Sequence, residues 1–336
     1  MASVTAPSIT KRVTKPSRLW WRVHQWVGFK LSIFLAFIFF TGTVAVLSAE
    51  IDWLLHPSLR VSPSSVEGPV QWSKIAENAA AHLNVKQISY MSEPTASAFA
   101  VRVSVTWADD SIGFLHAHPT TGVIQGSQGF VDTQRIFRNL HRHLNLPTQY
   151  GVPLVSALSI LMLISFVTSF IVYKKWWRGF FKPVRWRNAR TVWVDIHRLA
   201  GVWSLWFVLL IALTGLWYLV ESLGGEAPVK DGQTLLATDA QDLNVHQRIS
   251  EMADPLHFGT FGGYWTKIIW FLFGLFLTGL AVSGIAIYGL RVGRDLTSVS
   301  QAPSGWAVAW RGMGNWRWVA LGCVAIGLLM LPTLFE

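Results

Sequence analysis

The chain has 336 residues, 51% of them hydrophobic and only 14% charged, with 19 tryptophans and a formal net charge of +10. A soluble domain of this size needs more charge to cover its surface. The single cysteine, Cys323, excludes an internal disulfide framework and a four-cysteine iron–sulfur cluster, and without a C-x-x-C-H stretch any haem would be held noncovalently.

Residues 1–18 are polar, basic and without an apolar face, and are expected to form a disordered tail. The apolar element over 19–48 has a run long enough to cross a bilayer, which takes about 20 residues. It is too long for the hydrophobic part of a cleaved signal, so a retained anchor is expected. Residues 49–140 have soluble character. "VQWSKIAENAAAHLN" (70–84) places Trp72, Ile75, Ala79 and Leu83 at helical spacing. "VKQISYM", "SAFAVRVSVTW" and "SIGFLHAHPTTGVIQG" alternate and are β-branched, with a turn at 119–122. One helix and three or four strands predict a small α+β domain. Then come a second membrane element over 141–173, a basic loop over 174–198, a third span at 199–220, an acidic loop over 221–267, a fourth span at 268–290 and a fifth at 316–334. The fold class is an all-α membrane bundle of about five transmembrane helices carrying a small α+β domain.

Charge sets the expected orientation. Lys11, Arg12, Lys15, Arg18 and Arg22 precede the first span, and eight basic residues crowd between the second and third, from Lys174 to Arg198. The positive-inside rule makes both segments cytoplasmic and puts 49–140 and 221–267 on the other side, the periplasm for a bacterial inner membrane. The basic excess then reports topology, not nucleic acid. No G-x-G-x-x-G follows a strand, so no nucleotide site is visible.

Residues 22–42, "RVHQWVGFKLSIFLAFIFFTG", and 195–215, "DIHRLAGVWSLWFVLLIALTG", share one pattern. In each a histidine (His24, His197) is followed four places on by glycine (Gly28, Gly201). A Thr-Gly ends each stretch, Thr41-Gly42 and Thr214-Gly215. Spans one and three run outward and two and four inward, a pseudo-repeat of two helix pairs with the fifth unpaired. Repeat interfaces are where such bundles place their sites. His141, His143 and His257 stand just before spans two and four, so each end of the bundle receives histidines from two helices. On an unbroken helix, eighteen residues make about five turns, which puts Gly42 on the face of His24 about 27 Å along, and Gly215 likewise above His197. Gly28 and Gly201 lie one turn from their histidines, about 40° off the line. Such faces suit two flat, bulky cofactors, and neutral imidazole is a standard axial ligand of haem iron. An ionisable side chain beside a span is a functional candidate in its own right.

Blander readings compete. Glycines in membrane helices often serve packing alone. A zinc site asks for three or four protein ligands, and each pair supplies two. His141 and His143, two residues apart, point about 200° away from each other on a helix. Leu140 and Leu144 flank His141 and favour it as the ligand, with His143 a polar neighbour. Gly259, Gly262 and Gly263 after His257 suit close approach to a planar ligand or a flexible loop. His116 and His118 share a strand face but lack acidic or cysteine companions, so solvated side chains are expected. His56, His82 and His246 read as surface or loop residues, and Lys30 as snorkelling to the headgroups.

The pieces "RVHQWVGF…FFTG", "LHRHLNL", "DIHRLAGVW…ALTG" and "PLHFGTFGG…IIWFLFGLFLTGLAVSG" resemble the PepSY-associated transmembrane family, which includes inner-membrane ferric-siderophore reductases. The 70–130 segment resembles the PepSY domain itself, and together the pieces cover most of residues 18–295. The family's Leu-His-Arg motif falls on His141, while Pro147 and Gln149-Tyr150 stand where the family often has a Leu-Gly run. The resemblance implies bis-histidine haems in the membrane and electrons passed from inside to the periplasm. With the residues above, it leads to two haem b groups, one on His24 and His197 near the cytoplasmic side and one on His141 and His257 near the periplasmic side. The expected activity is one-electron reduction of a periplasmic ferric siderophore or other ferric chelate, with quinol or a cytoplasmic reductase as donor. Membrane lipid is the surrounding partner. The rival expectations are a PepSY-type regulatory or binding protein, and siderophore or haem transport without redox chemistry.

Overall fold

The computed structural model describes residues 16–225, 245–295 and 304–334. The expected tail over 1–15 and the loop over 226–244 lie outside the described residues.

Thirteen α-helices and four strands are described. Helices α1 (Pro16–Lys30), α2 (Ser32–Val46) and α3 (Ser48–Leu55) lead to the small domain. That domain holds α4 (Trp72–Ala80) and strands β1 (Val85–Ser92), β2 (Val101–Trp107), β3 (Ile112–Ala117) and β4 (Ile124–Gly129). Then follow α5 (Thr133–His143), α6 (Thr148–Ser156), α7 (Leu158–Val172), α8 (Ala189–Trp203) and α9 (Leu205–Val220). The chain continues through α10 (Val245–Phe258), α11 (Gly263–Asp295), α12 (Gly305–Gly312) and α13 (Trp316–Leu329).

Uncharged stretches such as "LSILMLISFVTSFIV" in α7 satisfy their backbone groups within the helix, as hydrocarbon requires. Four helical segments are long and apolar enough to cross a membrane: Thr148–Val172, Leu205–Gly224, Gly263–Val292 and Trp316–Leu334. Arg18–Lys30 and Ser32–Val46 make a fifth only as a pair bent by 63°. The first span is therefore broken at Leu31, not continuous as its apolar run predicts. A second break, at Ser204, separates α8 from α9, so His197 sits on a helix of its own and the apolar third helix begins at Leu205. Leu31 precedes Ser204 by the same interval that separates His24 from His197. Beside each break a serine hydroxyl bonds a carbonyl of the preceding turn, Ser32 to Phe29 at 2.7 Å and Ser204 to Ala200 at 2.5 Å. Back-bonding of this kind bends helices.

The repeat is visible in the packing. α1 lies on α7 as α8 lies on α11; α2 lies on α11 as α9 lies on α7; α2 holds α5 as α9 holds α10. Phe34, Leu35, Ile38, Leu144, Leu158 and Ala281 form one buried cluster, and Met162, Phe207, Ala212, Trp270 and Leu277 another. α13 stands outside the repeat against α2 and α5, where Asn145 Nδ2 donates to the Gly327 carbonyl at 2.9 Å. Lys30 does not snorkel. Its Nζ donates to the Gly312 carbonyl at 2.6 Å, at the C-terminus of α12, where the helix dipole favours a cation. The fourth span begins at Gly263, earlier than its apolar run suggests, because the buried Lys267 is paired with Glu50 at 2.6 Å.

The small domain is an antiparallel meander in the order β1-β2-β3-β4. Ile75 and Ala79 of α4 pack against Val101, Val103, Val105 and Leu115. The helix ends at Ala80, so Leu83 is exposed, and Trp72 is exposed as well; the apolar face is narrower than its spacing predicts. Gly122 closes the turn at 119–122 with φ +72°, its N–H donating to the His118 carbonyl at 3.0 Å.

His116 corrects an expectation. It is fully buried, with Nδ1 2.8 Å from Ser58 Oγ, whereas His118 lies beyond the end of β3 and bonds Ser65 Oγ. Burial, followed by the nearby Arg102 and His56, pushes the His116 pKa down to about 4. An unfolded histidine takes up its proton near pH 6.5. The unfolded chain thus binds more protons between those values, so the sheet loses stability as pH falls through that window. Amide protection of β2 and β3 in the full chain is expected to drop from pH 6.5 to 4 in the parent, and to change less in His116→Gln. Equal pH dependence in the two proteins would contradict this.

Candidate functional site

At one end of the bundle α1 and α8 present His24 and His197. His24 Nδ1 stands 3.2 Å from the Ser165 carbonyl and 3.0 Å from Thr168 Oγ1. A carbonyl only accepts, so Nδ1 carries the hydrogen. His197 Nδ1 stands 2.7 Å from Ser283 Oγ, whose own hydrogen goes to the Leu280 carbonyl at 3.1 Å. Nδ1–H is again the donor. Each ring is left with its lone pair on Nε2, to which the structure gives no hydrogen bond among the described residues.

Both histidines line a cavity of about 740 Å³, as do Gly28, Gly201 and Gly284. A Cβ added at Gly28 would meet nothing within 4 Å, and one at Gly201 only Leu280 Cδ2 at 3.6 Å. These two glycines border open space.

At the other end stand His141 on α5 and His257 on α10, a helix where the sequence offered no element. Their ring centroids are 6.1 Å apart. His141 Nδ1 donates to the Ile38 carbonyl at 2.8 Å. His257 Nδ1 stands 2.8 Å from Thr214 Oγ1, whose hydrogen is committed to the carbonyls of Leu210 and Ile211 at 2.9 and 3.2 Å. Thr41 in the first half bonds the carbonyls of Phe37 and Ile38 in the same way. The repeated threonine therefore sits where an outer histidine docks, directly in one half and beside the accepting carbonyl in the other.

The following glycines diverge. A Cβ at Gly42 would stand 2.5 Å from His141 Cε1 and 2.7 Å from Nδ1, so Gly42 makes room for the imidazole. A Cβ at Gly215 would meet Ser159 Cβ at 3.3 Å, a packing contact between α9 and α7. The straight line of about five turns from His24 to Gly42 does not exist, because the 63° bend intervenes. The bare patch at Gly42 clears the histidine ring, not a cofactor edge. His143 faces elsewhere: its Nδ1 is buried without a partner, and its carbonyl lies against Gly151. Gly259 and Gly263, at φ +69° and +65°, shape the turn from α10 to α11. Gly259 lies against the Trp270 ring, so this is a packed turn and not a flexible loop.

Sequence reasoning missed what holds α5. The first N–H groups of a helix lack partners within it. Asp132 accepts from Arg135 N at 2.6 Å. The buried Asp52 on α3 accepts from Thr133 N at 2.9 Å and Gln134 N at 3.0 Å. Arg102 of β2 donates to Asp132 at 2.6 Å and ties the sheet to the same helix start. Asp132 could have been found as a helix cap ahead of Thr133; Asp52 lies too far off in sequence to be seen. Asp52→Ala removes the acceptor of two half-buried donors and is expected to cost about 1–3 kcal/mol in all. Denaturant unfolding in detergent reads that loss, and an unchanged midpoint would deny Asp52 the capping role.

No group of three or more His, Cys, Asp or Glu side chains among the described residues is placed to hold a metal ion. A four-ligand zinc site therefore finds no support, and paired imidazoles remain. Two imidazoles bound to opposite sides of one metal at about 2 Å each stand with centroids roughly 6 Å apart, once half a ring is added on either side. The outer pair, at 6.1 Å, meets that spacing. The inner pair borders a cavity within the range of roughly 300–1,000 Å³ usual for cofactors. The spacing of the outer pair and the space beside the inner pair are each of the size haem needs.

Residues 21–291 match the family model described as PepSY-associated TM region. No curated protein matches the sequence.

Proposed function

Since the chain belongs to the PepSY-associated TM region family, we propose that it binds two haem b groups and passes single electrons across the membrane to a ferric siderophore or other ferric chelate. The observation that carries this reading is the arrangement of the four histidines: in each, Nδ1 is hydrogen-bonded, to a carbonyl at His24 and His141 and to a hydroxyl at His197 and His257, and Nε2 has no bond among the described residues and is left to ligate. A second-shell bond of this kind fixes the tautomer and ring orientation and raises the basicity of the ligating nitrogen. Haem iron supplies, when bound, a reversible one-electron change between its ferric and ferrous states. His24 and His197 would hold the inner group, and His141 and His257 the outer one. With two histidine donors at each site the iron would be left no open position, which suits electron transfer over oxygen chemistry. The acceptor Fe(III) takes up one electron, so no side chain need act as acid or base.

The basic 174–198 loop supports a reading in which the His24 and His197 end faces the cytoplasm and the sheet domain the periplasm. Electrons would then enter beside the inner pair, from quinol or a cytoplasmic reductase, and leave beside the outer one. A purely regulatory role gives the four matched imidazoles no task.

Dithionite-reduced protein mixed with ferric siderophores in a stopped-flow instrument is expected to show reoxidation of b-type bands. The step should be far slower in His141→Ala than in His143→Ala. A reduced protein that ignores every ferric chelate offered would overturn the reductase reading, and a colourless folded protein would overturn the haem reading.

A further inference from the structure

The inner cavity carries a charge pattern that ligation does not explain. Its lining includes Lys182, Arg185, Arg190, Arg198 and Arg291 against a single acid, Asp195. Asp195 is buried and already doubly engaged. Arg185 holds it through Nε and a second guanidinium nitrogen at 2.9 and 3.1 Å, and Arg198 through one at 3.0 Å. Lys182 and Arg190 have no carboxylate partner among the described residues. Arg291 stacks over the Trp21 ring, with 4.3 Å from its guanidinium carbon to the centroid.

The same cavity is apolar along Leu161, Met162, Val208 and Leu277. Two imidazoles, apolar walls and uncompensated cations match a flat apolar ligand that carries carboxylates on one edge. Haem b carries two such carboxylates. Resting on the haem reading above, we infer that Arg190 and Lys182 anchor the carboxylates of the inner group, while Asp195 withdraws Arg185 and Arg198 from that task and fixes the wall between them. Arg190 is half-buried and Lys182 exposed; charge-assisted bonds are about twice as strong as neutral ones, and guanidinium matches a carboxylate in a fork.

The test uses the full chain stripped of haem in detergent and titrated with haem b or its dimethyl ester, which lacks the charges. The readout is the absorption of the inner group in a His141→Ala/His257→Ala background, so that the outer site does not contribute. One lost charge-assisted bond is worth about a factor of ten in affinity. The parent should therefore prefer haem b over the ester by roughly tenfold or more. Arg190→Gln/Lys182→Gln should lose that preference while still binding the ester as the parent does. Arg178→Gln, an exposed cation of the same loop outside the cavity lining, should keep it. Equal binding of acid and ester by the parent, or an unchanged preference in the double variant, would overturn the inference and leave the haem reading standing. Failure to bind either compound would refute the haem reading itself.

Discussion

On the two-haem proposal the parent is expected to purify with two haems and His257→Ala protein with one, keeping the spectrum of the inner group. The outer site has only two imidazoles, 6.1 Å apart, so removing one halves its donor set. His24 and His197 lie on α1 and α8, bonded to Thr168 and Ser283, and touch neither α10 nor α5 through those bonds. His141→Ala should give the same product, and His24→Ala or His197→Ala the complementary one. His143→Ala should retain both groups, because its ring is turned away from His257. Pyridine-haemochrome analysis gives the stoichiometry, and low-temperature spectra tell which group is lost. A His257 variant with two intact haems would remove that residue from the scheme, and loss at His143 equal to that at His141 would show that the wrong neighbour had been assigned.

Gly42→Ala should do nearly as much damage as losing a ligand. A single methyl group there would stand 2.5 Å from the His141 ring, a separation that demands movement of either α2 or the imidazole. The imidazole is tied to the same face of α2 by the Ile38 carbonyl, so any retreat from the new methyl breaks that bond. Overpacking typically costs about 1–3 kcal/mol, and here the ligand geometry is expected to absorb the strain. Loss or marked shift of the outer spectrum is the expected readout. Gly215→Ala, whose new methyl meets Ser159 Cβ at 3.3 Å, should lower the melting temperature slightly and leave both spectra in place. If the two variants behave alike, both glycines are packing devices.

Much of the architecture could be read from local pattern. Apolar runs located the helices that cross the membrane, and alternation in "SAFAVRVSVTW" located the central strand of the sheet. The equal spacing of His24 and His197 from their glycines pointed to the cavity that both line. Other features depend on contacts between distant segments and could not be read. The break at Leu31 falls between Lys30 and Ser32 with no proline to announce it. Lys30 finds a carbonyl at Gly312, and His116 finds Ser58 across the sheet domain. The cations at 182–198 were read as topology alone, because nothing local shows that Asp195 satisfies two of them and leaves others free. Gly42 and Gly215 hold equivalent places in the repeat but face different neighbours, since the first half carries its histidine on α5, against α2, and Ser159 lies under α9.

The exchange of helices between the two halves bears on ancestry. α2 of the first half lies on α11 of the second, α9 of the second lies on α7 of the first, and each pair of histidines takes one member from each half. A half-length chain would own a single imidazole at either end, with the groove for its outer helix supplied by another molecule. Such a chain could complete its sites only beside a twin related by a twofold axis, the commonest symmetry among small oligomers. Joining the twins in one polypeptide frees each copy to change alone. Here the copies differ: the sheet domain lies between the first and second spans of one, and α12 and α13 follow the other, so the two ends of the bundle need not be alike.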